Sequence, residues 1–239
     1  PIGPLGGQNY SFGGARSNLG GSAGPTTGLL GQLIAWNGSP FGGTLTRAAD
    51  PNALYVLMFG ANDMRDFRSG VAGALTPGQA AGRVVNAVEL LAEAGAQHFL
   101  ISNLGDLGKT PEAAALGLVP ESTAATLSFN AALATRESIL DAQFFASTGI
   151  DLDLRTLDLF GLGNSIYDDA VNHGGATYGI TNVTTPCIAP VAPGQYFYPG
   201  STDINCSVSA FSDPLHPTAA VHRLIGETAL EAVGVAAVP

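Results

Sequence analysis

The run Leu54-Tyr55-Val56-Leu57-Met58-Phe59 is apolar throughout and stops at Gly60. It is too short for a buried helix and lacks the polar alternation of a half-exposed strand, so it predicts a strand buried on both faces, a setting that parallel sheets covered by helices provide. The residues downstream agree. Thr76 and Pro77 open a helix expected over about 77 to 94, with Val84, Val85, Val88 and Leu91 on one side and Gly95 as its stop. A second strand is expected at His98 to Asn103, a long helix over 121 to 146, a more exposed strand at Ile150 to Leu154 and a last helix from about Pro217 to Val233. Upstream, Leu29, Leu30, Leu33 and Ile34 recur at helical spacing after Thr26-Thr27, with Trp36 expected to pack at the helix end. Strands alternating with helices define an α/β fold with a mostly parallel sheet and right-handed crossovers. At 239 residues and 46% hydrophobic content, one domain over 1–239 is the simplest reading.

Charge narrows the range of partners. Only 12% of residues are charged, the formal net charge is −10, and Lys109 is the only lysine. A phosphate backbone would meet net repulsion with no basic cluster to offset it, so nucleic acid is not an expected partner. No apolar run approaches the ~20 residues needed to span a bilayer. The paired glycines of residues 1 to 50 form no phosphate-cradling motif and read as tight turns. The chain starts at Pro1 without a methionine or a leader-like segment, which predicts that something upstream has been removed. Cys187 and Cys206 lie in a Pro/Gly/aromatic-rich region and are expected to form a disulfide, with two free thiols as the alternative. Paired, they imply an oxidising compartment, hence a secreted, periplasmic or cell-surface protein.

In sheets of this kind, chemistry gathers at the carboxyl ends of the strands. Asn62 and Asp63 follow the first expected strand, and Asn103 and Asp106 lie at or just past the second. Gly60-Ala61-Asn62-Asp63 on its own could be a turn that caps a helix. A carboxamide placed there can also donate to a developing oxyanion, an effect worth about 3 kcal/mol. Near the C-terminus, Asp213 and His216 stand three residues apart, each followed by a proline (Pro214 and Pro217), close enough on one turn for the carboxylate to orient an imidazole as general base. His98, His173 and His222 read as packing or surface residues. Asp168, Asp169 and His173 gather no further ligand, and the cysteines have no nearby His, so neither a metal nor a cofactor is expected.

These blocks together resemble the SGNH hydrolases, also called the GDSL esterase/lipase family. Asn9-Tyr10-Ser11-Phe12-Gly13-Gly14-Ala15-Arg16-Ser17 looks like the family's second block, Gly60 to Asp63 like its GxND block and Asp213 to Pro217 like its DxxHP block. Asn103 to Pro111 and Tyr178 to Cys187 look like the bacterial secreted branch. The resemblance implies a flavodoxin-like three-layer sandwich. It also implies His216 as general base, Asp213 as its orienting carboxylate, and an oxyanion hole made by the Asn62 side chain and the Gly13 N–H, with Gly13 preferred over Gly14. The family's first block, a Gly-Asp-Ser segment that ends the first strand and carries the nucleophile, is absent from this chain. In the family that strand is internal, so its loss is expected to leave strand edges unpaired. Ser11, Ser17 and Ser212 lack the strand-to-helix setting of a nucleophile.

The implied activity is hydrolysis of a small-molecule or lipid carboxylic ester through an acyl-enzyme, with the serine on an upstream segment. The chain's own cleaved N-terminal peptide is a candidate partner. The competing readings are a non-catalytic pseudoenzyme that binds a glycan or lipid, and a polysaccharide or aryl-ester deacetylase. The loop Pro190 to Pro199, with Tyr196, Phe197 and Tyr198, is expected either to line an acyl site or to be a structural loop held by the cysteines.

Overall fold

The computed structural model describes residues 8–189, 200–201 and 204–235, so the aromatic loop Pro190 to Pro199 lies outside the described residues. The chain divides into two compact units, one of Pro1–Ser102 with Leu127–Thr156 and one of Asn103–Thr126 with Leu157–Pro239.

The first unit carries a three-stranded parallel sheet of order β1 (Leu54–Leu57), β2 (His98–Ser102) and β3 (Asp153–Leu157), with Leu54 opposite His98 and Leu57 opposite Ile101. Phe99, Leu100 and Ile101 of β2 are all buried, as a strand covered on both faces must be. With it belong α1 (Leu29–Asn37), α2 (Ala61–Arg68), α3 (Pro77–Glu93) and most of α5 (Val119–Thr148). Helix α3 begins as its sequence predicts. Thr76 accepts from the Gln79 N–H, the Gln79 side chain takes the Thr76 N–H in return, and Pro77 fills the first turn. Its buried face is Val84, Val85, Val88 and Leu91. Trp36 packs edge-on against Tyr55, with the Arg47 guanidinium over its ring.

Two expectations for the strands are corrected. β1 is not buried on both faces: Leu54 is 45% and Val56 55% exposed, and Met58 just beyond it 51%. Among the described residues β1 pairs on one side only, and an edge strand leaves part of its apolar surface uncovered. Along it runs a groove of ≈ 680 Å³ lined by Phe12, Leu33, Trp36, Leu54, Val56 and Met58 among others. The strand expected at Ile150 to Leu154 begins three residues later, at Asp153. It starts where the Asp153 N–H donates to the Gln97 carbonyl.

Helix α5 carries a half-buried acid. Glu137 Oε1 is inaccessible and has no hydrogen-bond partner among the described residues, and burial lifts the carboxyl from about 4.5 to about 7. Between those values the unfolded chain has lost the proton while the folded chain keeps it, so stability falls as pH rises through that window and levels off above it. At about 1.4 kcal/mol per pH unit the loss reaches at most roughly 3 kcal/mol. Glu137→Gln is therefore expected to raise Tm above wild type at pH 8 and to match it at pH 4, a comparison thermal melts at the two pH values can make.

The second unit contains α4 (Pro111–Leu116), the start of α5, α6 (Leu159–Asn172) and α7 (Ala219–Ala232). Its core joins Ile166 of α6, Val221 and Leu224 of α7 and the loop residues Ile180, Val183 and Ala210. Cys187 and Cys206 are bonded, with Cα atoms 5.1 Å apart. The Cys187 N–H donates to the Phe211 carbonyl and the Ile188 N–H to the Ser212 carbonyl, so the staple backs the segment that leads into Asp213. Closing this loop is worth roughly 2 to 4 kcal/mol. The Cys187→Ser/Cys206→Ser double variant is expected to lose that much in urea unfolding, and non-reducing peptide mapping of the native protein is expected to recover the two half-cystines in one linked pair.

Candidate active site

Phe211 to Pro217 closes on itself as a tight loop. The Ser212 N–H donates to the His216 carbonyl, and Phe211 bridges Pro217. Within it Asp213 is nearly buried and uses both oxygens. Oδ1 accepts the backbone N–H groups of Leu215 (2.8 Å) and His216 (2.7 Å), while Oδ2 lies 2.7 Å from His216 Nδ1. Burial alone would lift this carboxyl. The two backbone donors and the imidazole outweigh it and hold the group below the ordinary carboxylate range. With Nδ1 committed to a carboxylate, the remaining ring nitrogen is the one available to take a proton, and the imidazole is 63% exposed. The loop is fixed from outside by the Glu112 N–H, in the first turn of α4, which donates to the Pro214 carbonyl. Thr218, next in sequence, caps α7 through the Val221 N–H.

The other expected site residues belong to the first unit. Gly60 takes φ +112°, and a Cβ there would sit 2.4 Å from the Phe129 ring, so the turn from β1 into α2 requires glycine twice over. Asn62 and Asp63 then fall in the first turn of α2. The Asn62 Nδ2 donates to the Ala15 carbonyl at 2.9 Å. Asp63 is 2% exposed and accepts three times from Ser17: from its N–H at 3.2 and 2.9 Å and from its hydroxyl at 2.8 Å. Burial raises the Asp63 carboxyl above its ordinary range despite these donors. One turn on, Asp66 takes the Arg16 guanidinium through two nitrogens, at 2.5 and 3.2 Å. Gly13 and Gly14 occupy the middle of a turn closed by the Ala15 N–H on the Phe12 carbonyl. Gly14 holds φ +74° against Ser22, whereas a Cβ on Gly13 would meet nothing within 4 Å. Among the described residues the Gly13 N–H has no partner.

Asp213 and His216 are thus brought together in one unit, and Asn62 and the loop of residues 13–17 in the other. The remaining candidates are committed elsewhere. Ser11 is held by Asn9, Ser17 by Asp63, and the Ser212 hydroxyl by the His216 and Pro217 carbonyls. Asn103 donates to Asp158 and accepts from the Phe160 N–H, bracing the start of α6, and Asp106 caps a single 3₁₀ turn at Leu107–Lys109. Asp169 is buried and accepts the Thr177 and Tyr178 N–H groups, while His173 stands 3.7 Å from Asp168. Among the described residues no group of three or more His, Cys, Asp or Glu could hold a metal ion, and no helix is long and apolar enough to cross a membrane. Asp66 is the residue that sequence reasoning missed. Its only signal was its position, three after Asp63 and so on the same helix face.

The model of the GDSL-like lipases and acylhydrolases matches residues 3–229, and the chain belongs to that family. It is also similar to a thermolabile hemolysin of Vibrio parahaemolyticus serotype O3:K6, at 25% identity over 189 residues. The match takes in 75% of this chain and 41% of the hemolysin, so the chain spans less than half the length of that relative. Family membership points to a hydrolase of ester substrates.

Proposed function

We propose that the protein is a secreted serine esterase or lipase that cleaves carboxylic esters through an acyl-enzyme, its nucleophile lying on a segment that precedes Pro1. The observation that carries this reading is the Asp213–His216 pair, in which a carboxylate held by two backbone N–H groups fixes an exposed imidazole through Nδ1. In the proposed cycle His216 takes the proton of the attacking serine and returns it to the leaving alcohol, and Asp213 stabilises the imidazolium between those steps. The Asn62 carboxamide and the Gly13 N–H hold the oxyanion, and water then releases the acid by the reverse route. Among the described residues β1 is open on one edge and lies along an apolar groove, which favours an additional strand there that would bring the serine. The committed hydroxyls of Ser11, Ser17 and Ser212 argue against a substitute within the chain. The disulfide supports secretion. A panel of nitrophenyl esters of rising acyl length, given to the full-length natural protein, tests the reading. Turnover supports it and its length profile separates esterase from lipase; a folded protein with no turnover on any ester returns the chain to the pseudoenzyme class.

A further inference from the structure

The first turn and a half of α2 grips three successive residues of one loop: Asn62 holds the Ala15 carbonyl, Asp66 the Arg16 guanidinium, and Asp63 the Ser17 N–H and hydroxyl. We propose that Asp63 and Asp66 are positioning residues which set the loop of residues 13–17, and with it the Gly13 N–H and the Asn62 carboxamide, for oxyanion binding. The proposal rests on the reading of Gly13 and Asn62 given above.

A loop that carries a catalytic backbone N–H must be held to a fraction of an ångström, because a misplacement of about 1 Å can cost about a hundredfold in rate. Glycines make this loop intrinsically mobile: Gly13 and Gly14 adjoin within it, and neither has a side chain to anchor it. Among the described residues Gly14 is held only through its carbonyl, which accepts the Ser22 N–H at 2.9 Å, and side-chain anchoring falls to the residues immediately after the pair. On the far side, the helix α1 has no side-chain cap, and its opening N–H groups are satisfied by the same loop, Leu29 donating to the Arg16 carbonyl and Leu30 to the Asn18 carbonyl. The loop is thus fixed from both sides, with α2 supplying the carboxylates and the carboxamide and the Ser22 hydroxyl accepting one further Arg16 N–H at 3.3 Å. Asn62 takes part in both functions. A carboxamide nitrogen has two hydrogens; one is spent on the Ala15 carbonyl, which fixes the plane of the amide and leaves the other hydrogen with a defined direction. The clamp on Ala15 to Ser17 therefore orients both donors at once.

The test uses the full-length natural protein with Asp66→Ala, Arg16→Ala and their double variant. The Arg16 and Asp66 side chains are about a quarter exposed (27% and 22%), so these changes spare the core; Asp63→Asn probes the buried acceptor while keeping its shape. Two readouts are taken, nitrophenyl ester kinetics and deuterium uptake by the peptide covering residues 13–17. Each single change at 16 or 66 is expected to raise uptake there and to lower kcat about ten- to a hundredfold at unchanged KM. The double variant is expected to lose no more than either single, as two halves of one interaction should. Unchanged uptake in all variants would overturn the clamp whatever the activity. Raised uptake with wild-type kcat, or a loss confined to KM, would overturn its role in positioning. A wild-type protein without ester turnover would sink the hydrolase reading and the positioning role with it, while the uptake data still report whether the loop is held.

Discussion

Replacing His216 by alanine in the full-length natural protein is expected to lower kcat on a nitrophenyl ester by at least about a thousandfold while the thermal transition stays in place. The size follows from the chemistry. A serine hydroxyl is a poor nucleophile until a base takes its proton, and the alkoxide leaving group needs the same proton back. The fold should be indifferent, because the imidazole is 63% exposed and the Ser212 N–H bond to this residue uses the backbone carbonyl. Asn62→Ala is expected to differ in kind, costing about 10² to 10³ in kcat with little change in KM, since an oxyanion donor acts mainly in the transition state. Wild-type turnover by His216→Ala would remove this residue from the mechanism, and an Asn62→Ala effect confined to KM would reassign Asn62 to substrate binding.

Residues 1–239 produced alone are expected to be insoluble, molten or inactive, and supplying the upstream segment, in the same chain or as an associated peptide, is expected to restore a cooperative unfolding transition together with ester hydrolysis. Among the described residues β1 has one unpaired edge beside a groove of ≈ 680 Å³, and Leu54, Val56 and Met58 are each roughly half exposed. An uncovered apolar strand edge of this kind templates pairing with other chains and favours aggregation. Stability and activity should return together if, as proposed, one strand supplies both the backbone partners and the serine. Guanidinium unfolding curves and initial rates on the same samples check this. Recovery of one without the other would separate the strand from the nucleophile.

Local chemistry made much of the fold legible. The capping box at Thr76 and Gln79 and the periodic face from Val84 to Leu91 place α3 over Pro77–Glu93 within a residue of expectation. Helix α6 was not legible, because Gly161 and Gly163 interrupt its first turns and only Asp158, capping the Gly161 N–H, marks its start. The exposure of β1 could not be read from composition either. An apolar run states what a strand prefers as neighbours, and whether they are present depends on chain segments that the run does not contain. The Asp213–His216 pair was legible because it is local, three residues on one turn. The clamp was not, since Asp63 meets Ser17 across 46 positions and Asp66 meets Arg16 across 50, and no short-range pattern encodes such pairings.

In the proposed mechanism a serine outside residues 1–239, activated by His216, forms the acyl-enzyme. Fluorophosphonate labelling of the full-length natural protein, followed by peptide mapping, identifies that serine. A single adduct on a serine preceding Pro1, abolished in His216→Ala, is the predicted result. An adduct on Ser11, Ser17 or Ser212, or undiminished ester hydrolysis with no serine labelled, would contradict it.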